Sequence, residues 1–147
     1  MQANSLVIKV ASFERDYNDI VAIRTRVFQE EQGVDAALEF DGRDQAATHF
    51  LACWGEGAIA TARIRFLDAN TAKLERLAVL ATFRNQGIGR KIVETALEFL
   101  ADKNISDLRI HAQTSVIVFY QKLGFVTEGE EFEEAGIPHI KMNYKFP

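Results

Sequence analysis

The chain has 147 residues, 48% of them hydrophobic and 26% charged, the balance of a single globular domain large enough to bury a core. A formal net charge of −4 excludes the basic surplus of a general nucleic-acid binder, and no stretch approaches the roughly 20 apolar residues of a membrane helix. Residues 1–10 show no basic leader followed by a long apolar run, and Cys53 is the only cysteine, so an internal disulfide is excluded and a cytoplasmic protein is expected.

In chain order, residues 6–10 alternate weakly and predict a first strand. Asp16 is placed to cap a helix on which Tyr17, Ile20, Ile23, Val27 and Phe28 recur at helical spacing, with Gly33 as its stop signal. Residues 34–47 are polar, with Asp35, Glu39, Asp41 and Asp44 around Gly42, and predict a loop with a short helical turn at 36–38. Residues 48–54 and 58–66, joined by Gly55-Glu56-Gly57, predict a hairpin, with Cys53 a small core residue. Residues 68–70 turn the chain into a central strand carrying Leu74, Leu77, Val79 and Leu80. A long helix follows with Ile88, Ile92, Ala96, Phe99 and Leu100 on one face. Residues 107–112 predict a fifth strand and 116–123 a short helix, capped by Thr114 or Ser115 and ended by Gly124. A strand at 125–128, an acidic link at 130–135 and a last strand at 136–146 complete the chain. The crossover helix between the fourth and fifth strands makes that pair parallel. The order therefore predicts an α+β fold, a mixed and mostly antiparallel central sheet with helices on both faces, in one domain spanning 1–147.

The turn between the central strand and the long helix, Arg84-Asn85-Gln86-Gly87-Ile88-Gly89-Arg90, carries the chemistry. The first amides of the helix lack intrahelical partners and point outward with the positive end of its dipole. Gly87 and Gly89 let a ligand approach the backbone, and Arg84, Arg90 and Lys91 add positive charge. This is how a chain builds a phosphate or pyrophosphate site, the other reading being a plain strand-turn-helix connection whose glycines serve the turn. A dinucleotide Gly-x-Gly-x-x-Gly fails at Ile92, and no Gly-Lys-Ser/Thr supplies a P-loop.

The segment resembles Arg/Gln-x-x-Gly-x-Gly/Ala, the acetyl-CoA loop of the GCN5-related N-acetyltransferase (GNAT) superfamily, with Arg84, Gly87 and Gly89 in its defined positions. Phe119-Tyr120, followed by Gly124-Phe125, is similar to a second element of that superfamily. Arg24-x-x-Val27-Phe28-x-x-Glu31-Gln32, Asp41-Gly42-x-Asp44, His49, Ala112-Gln113 and the run from Phe132 to Met142 resemble its ElaA-like, or YjcF-like, subgroup. The matches extend from the first helix to the last strand.

The resemblance implies a pantetheine arm paired with the backbone of Leu77, Ala78 and Val79. It places a pyrophosphate on the turn, from Arg84 and Asn85 through Gln86, Gly87, Ile88 and Gly89 to Arg90, with Gln113 and Phe119 also at the cofactor. Many superfamily members carry Asn where Gln113 stands and Ala where Val116 stands. Tyr120 would be the general acid that protonates the departing CoA thiolate. Glu75 matches a carboxylate that some relatives use as base, and it is equally placed to pair with Arg63 or Arg65. His111, beside the opening between strands four and five, is the other base candidate, and Arg24, Phe28 and His111 would form the acceptor side. His49 and His139 fit the subgroup pattern, as pocket residues or as hydrogen-bonded structural histidines. Glu30, Glu31, Asp41 and Asp44 would either attract a cationic amine or form a solvated acidic loop. The three histidines and Cys53 lack metal-ligand spacing, so no metal is expected.

The implied activity is transfer of an acetyl group from acetyl-CoA to a primary amine by direct attack, without a covalent enzyme intermediate because no Cys or Ser lies in a nucleophile motif. A small metabolite, a polyamine, an amino sugar and a protein amino terminus all stay open as acceptors. The competing reading is a CoA-binding regulatory protein that keeps the fold and the loop but acts through a partner. Neither nucleic acid nor membrane is an expected partner. Dimers are common in families like this one, which leaves a homodimer an open expectation.

Overall fold

The computed structural model of the chain describes residues 5–147. The expectation of no leader rests partly on residues 1–4, which lie outside the described residues. The strands are β1 (Leu6–Ala11), β2 (Thr48–Trp54), β3 (Gly57–Phe66), β4 (Thr71–Val79), β5 (Asp107–Gln113), β6 (Val126–Glu134) and β7 (Ile137–Lys145). They form one sheet in the order β1-β2-β3-β4-β5-β7-β6. Every neighbouring pair is antiparallel except β4 with β5, which the crossover helix α3 (Ile88–Leu100) joins. The predicted mixed, mostly antiparallel sheet with a parallel β4/β5 pair is what the chain adopts, with β7 inserted between β5 and β6.

The sheet buries both faces by different means. On one face α3 inserts Ile88, Ile92, Val93, Ala96 and Leu100 against Phe50, Ile64, Leu74, Leu108 and Ile110. Each such buried side chain contributes about 1.5–3 kcal/mol. On the other face α1 (Tyr17–Arg24) sets Ile20 and Ile23, with Val27 and Phe28 beyond it, on Leu51 and Ala78. After Arg24 the helix widens into a π-helical segment, Thr25–Glu31, in which the Gln32 N–H reaches the Val27 carbonyl five residues back at 3.2 Å. Asp16 stands at the start of α1, but its carboxylate accepts from the Ser12 N–H and from Lys9 and Arg15 instead of capping the helix.

Two expectations are corrected here. The acidic link at 130–135 is the second half of β6, bulged against β7 between Glu128 and Phe132 and turned at Ala135-Gly136. It is an edge strand with most side chains exposed, so it lacks the apolar alternation that announces a half-buried strand. The loop at 34–47 contains the expected helical turn, as α2 (Ala36–Glu39) capped by the Asp35 carboxylate on the Ala37 N–H, but Glu39, Asp41 and Asp44 are drawn into ion pairs and are not a solvated cluster. Arg24, 1% exposed, donates from Nε to Glu39 at 2.6 Å, from Nη1 to Asp44 at 2.6 Å and from Nη2 to the Glu39 carbonyl. Arg63, fully buried, donates to Asp41, Asp44 and Glu75. Arg24 is therefore not an acceptor-side residue, because its guanidinium is spent on holding the loop to the sheet.

Removing one partner from such a network leaves buried carboxylates uncompensated, at a cost of about 3–5 kcal/mol. Arg24→Met is expected to lower unfolding stability by about that amount in urea titration, as a shifted midpoint. A loss under about 1 kcal/mol would show that the loop is held by something else.

Candidate functional site

The site begins where the sheet splits. β4 and β5 pair only from Thr71 with Asp107 to Leu74 with Ile110, and then diverge. Against β3 the register slips between Arg63–Glu75 and Thr61–Ala78, which puts one extra residue on β4. Arg76, in this bulge, sits at φ 58, a left-handed conformation that costs a non-glycine residue about 1–2 kcal/mol. Its guanidinium donates to the Leu38 and Glu39 carbonyls, so the acidic loop holds the bulge in place.

The split opens a cleft of about 1330 Å³. Leu77, Ala78 and Val79 line one wall, and His111 and Gln113 the other. Phe28, Glu75, Phe119 and Tyr120 also border it, as do Arg84, Asn85, Gly87, Ile88, Gly89 and Arg90 at one end. Gln86 lies in that turn, and its side chain donates back to the Thr82 carbonyl. The structure thus gathers the sequence-predicted residues into one space, apart from Arg24 and the side chain of Gln86.

The turn is built by two left-handed residues, Asn85 at φ 62 and Gly87 at φ 80. The first backbone bond beyond it runs from the Lys91 N–H to the Gly87 carbonyl, so the amides before Lys91 stay out of the helix ladder. A Cβ at Gly89 would lie 3.5 Å from the Phe119 ring, an ordinary contact that accounts for a Gly/Ala choice there. Two bridges cross the cleft from the end of the π-helical segment. Arg84 donates bidentately to Glu31 at 2.9 and 2.8 Å and from Nε to the Val79 carbonyl, and Gln113 donates to Gln32 at 3.0 Å. Tyr120, on α4 (Ile117–Gln121), is 8% exposed and packs edge-on against Phe119 and Phe125. Burial raises its pKa, so the phenol keeps its proton at neutral pH.

A family model described as "Acetyltransferase (GNAT) domain" matches residues 14–146. The N-acetyltransferase YjcF of Bacillus subtilis is 35% identical over 134 residues, covering 90% of this chain and 95% of its own. The chain belongs to the GNAT family. Escherichia coli ElaA superposes with a TM-score of 0.86 at 24% identity, over 96% of this chain and all of its own. A GNAT family acetyltransferase from Elizabethkingia anophelis, solved with acetyl-CoA bound, gives 0.74 at 18% identity, over 96% and 98%.

In this GNAT domain Glu75 is engaged by cations on every side. Its carboxylate accepts from Arg63 at 2.8 Å and Arg65 at 2.6 Å, and lies 3.2 Å from Lys73. Burial alone would raise its pKa, but the Arg65 hydrogen bond and the charges of Arg63 and Lys73 override it and lower the pKa to about 2. A carboxylate so stabilised is a poor proton acceptor, so of the two readings of Glu75 the ion pair stands and the base is corrected. Asp41 is likewise held below the usual carboxylate range: burial opposes this, and Arg63 overcomes it. His49 is buried away from the cleft; its Nε2–H donates to the Asp44 carbonyl at 2.8 Å, and burial lowers its pKa, which makes it a neutral structural residue. His139 lines the cleft with Nδ1–H on the Ile137 carbonyl.

Glu134 is the site residue that sequence reasoning missed. It accepts from His111 Nδ1 at 2.9 Å, reaching across β7 from β6 to β5. The available signal was the alternation of Phe132 and Glu134 on the face that carries His139, hidden by reading the stretch as a link. Among the described residues no group of three or more His, Cys, Asp or Glu side chains could hold a metal ion, and no helix is long and apolar enough to cross a membrane.

The depressed pKa of Glu75 fixes a pH dependence. Its contribution, on the order of 3 kcal/mol, is fully present above its ordinary value of 4.5 and is lost as pH falls through about 2. Thermal unfolding from pH 6 to pH 2 should show Glu75→Gln less stable than the parent at pH 6 and the two curves converging toward pH 2. Parallel curves would remove Glu75 from the acid sensitivity.

Proposed function

We propose that the domain is a cytoplasmic N-acetyltransferase that moves an acetyl group from acetyl-CoA to a primary amine by direct attack. The observation that carries this reading is one cleft whose end is a helix amino terminus with free amides and a left-handed glycine, and whose wall holds a buried, protonated tyrosine.

The residues fit the cofactor. Gly87 leaves open space where a Cβ would otherwise stand, and the amides up to Arg90 supply fixed donors for a pyrophosphate. The edge of Leu77, Ala78 and Val79, its Val79 carbonyl accepting from Arg84, faces the gap left by β5 and offers backbone pairing to an extended pantetheine arm. Bound acetyl-CoA supplies a thioester-activated acetyl group. Tyr120 delivers a proton to the sulfur as the bond to carbon breaks, and its apolar packing keeps that proton resident until then. The amine approaches from the opposite side of the split, beneath the π-helical segment and Phe28.

Tyr120→Phe is expected to lower kcat by about 100-fold or more while leaving CoA binding nearly unchanged in calorimetry. Unaltered turnover would take Tyr120 out of the mechanism, and CoA binding with no acetylated amine in a broad panel would favour a regulatory CoA-binding protein. Gly87→Val forces a β-branched residue into φ 80 and should weaken acetyl-CoA binding by at least about 10-fold. Wild-type protein that binds no acetyl-CoA would overturn the reading outright.

A further inference from the structure

His111 is the first residue of β5 beyond its last pairing with β4, so its side chain stands at the apex of the split, 26% exposed. Three contacts fix the ring. Nδ1 is 2.9 Å from Glu134 Oε1, the Phe132 ring meets it edge-on at 5.1 Å, and Lys73 Nζ lies 3.4 Å from the same Nδ1. A carboxylate only accepts, so the closer contact places the proton on Nδ1, and the longer approach of Lys73, itself only a donor, is then not a hydrogen bond. Nε2 is left as the basic nitrogen, with no hydrogen-bond partner among the described residues. This is the arrangement by which an acidic side chain holds an imidazole ready to take a proton.

We infer that His111 Nε2 accepts the proton of the incoming amine and that Glu134 is the positioning residue that sets its tautomer and stabilises its charged form. The inference rests on the acetyl-transfer reading above. A primary ammonium gives one proton to His111, and the free amine forms the C–N bond at the acetyl carbonyl as the C–S bond breaks. Tyr120 protonates the sulfur and is restored, through solvent, by the second proton of that nitrogen. His111 passes its proton to water, so one proton is released per turnover. Of the charges around the ring, Glu134 favours the imidazolium, and Lys73 and Arg109 oppose it. Lys73 on β4 is shared with Glu75, and Arg109 precedes His111 on the same face of β5. On β7 Lys141 lies opposite His111 but reaches toward Glu128, and His139 Nε2 is 4.0 Å from the second oxygen of Glu134. Glu134 is thus the only carboxylate, among the described residues, in hydrogen-bond contact with the ring.

Two measurements test this. In ¹⁵N NMR of the whole chain, His111 should show the Nδ1–H tautomer, and Glu134→Gln should move the tautomer balance toward Nε2–H; an Nε2–H tautomer in the parent overturns the inference without any acceptor in hand. With an acceptor amine, His111→Ala should lower kcat at pH 7 by about 100-fold, leave CoA binding intact and recover as pH rises toward the pKa of the free amine, and added imidazole should partly restore the rate. Glu134→Gln should move the acid limb of kcat/KM to lower pH, which loss of packing alone would not do. A His111→Ala enzyme with the parental rate and pH profile would overturn the base assignment and leave acetyl transfer standing. No acetylated product from the parent with any amine of a broad panel would mark failure of the transfer reading itself.

Discussion

The structure depends on two buried arginines that hold an acidic loop against the sheet. Arg63 on β3 and Arg24 at the end of α1 share Asp44, and between them they bind Glu39, Asp41 and Glu75. Residues 34–47 bring little apolar surface to the fold, and Leu38 points to solvent, so hydrophobic burial cannot dock them. Taking these ions out of water costs several kcal/mol each, which is offset only because nearly every guanidinium nitrogen finds an oxygen. An apolar substitute of equal volume would pack but would not specify a register. The ion network does, because each arginine fork donates to its carboxylates in one orientation.

The cleft is a consequence of that register. Arg76 occupies a strained left-handed bulge and is held there by the Leu38 and Glu39 carbonyls of the docked loop. The extra residue turns the end of β4 away from β5, and the parallel pairing stops at Leu74 and Ile110. Strain in β4, the ion network under it and the gap beside it are therefore one mechanical unit. Glu75 belongs to that unit. With Arg63, Arg65 and Lys73 around it, its charge balances the network, and this is why the same carboxylate cannot serve readily as a base.

What the sequence made legible was local. The amphipathic period of α3, the two glycines before and within its first turn and the hairpin glycines each follow from neighbours a few residues away, and the strand order follows from them. The alternatives left open at Glu75 and His49 were decided by partners 12 and 5 residues off in sequence, which periodicity does not encode. Arg24 could be read as a ligand residue because a charged side chain on a helix is usually exposed, and its partners lie 15 and 20 residues on in an irregular loop. The second half of β6 escaped because an edge strand need not alternate in apolar residues, and Glu134 went unnoticed with it.

The turn end of the cleft makes positive potential in two different ways. At the Gly87 turn it comes from backbone amides and a helix dipole, which neither move nor titrate. Arg84, beside that turn, is already paired bidentately with Glu31 at a partly exposed position, where an ion pair is worth about 0–1 kcal/mol. An anion seated on the amides can therefore draw Arg84 from Glu31 at little cost. The released carboxylate stands at the end of the π-helical segment, one residue before Gln32, which bridges to Gln113 on the opposite wall. The amides define where an anion sits, and Arg84 is the contact that can exchange.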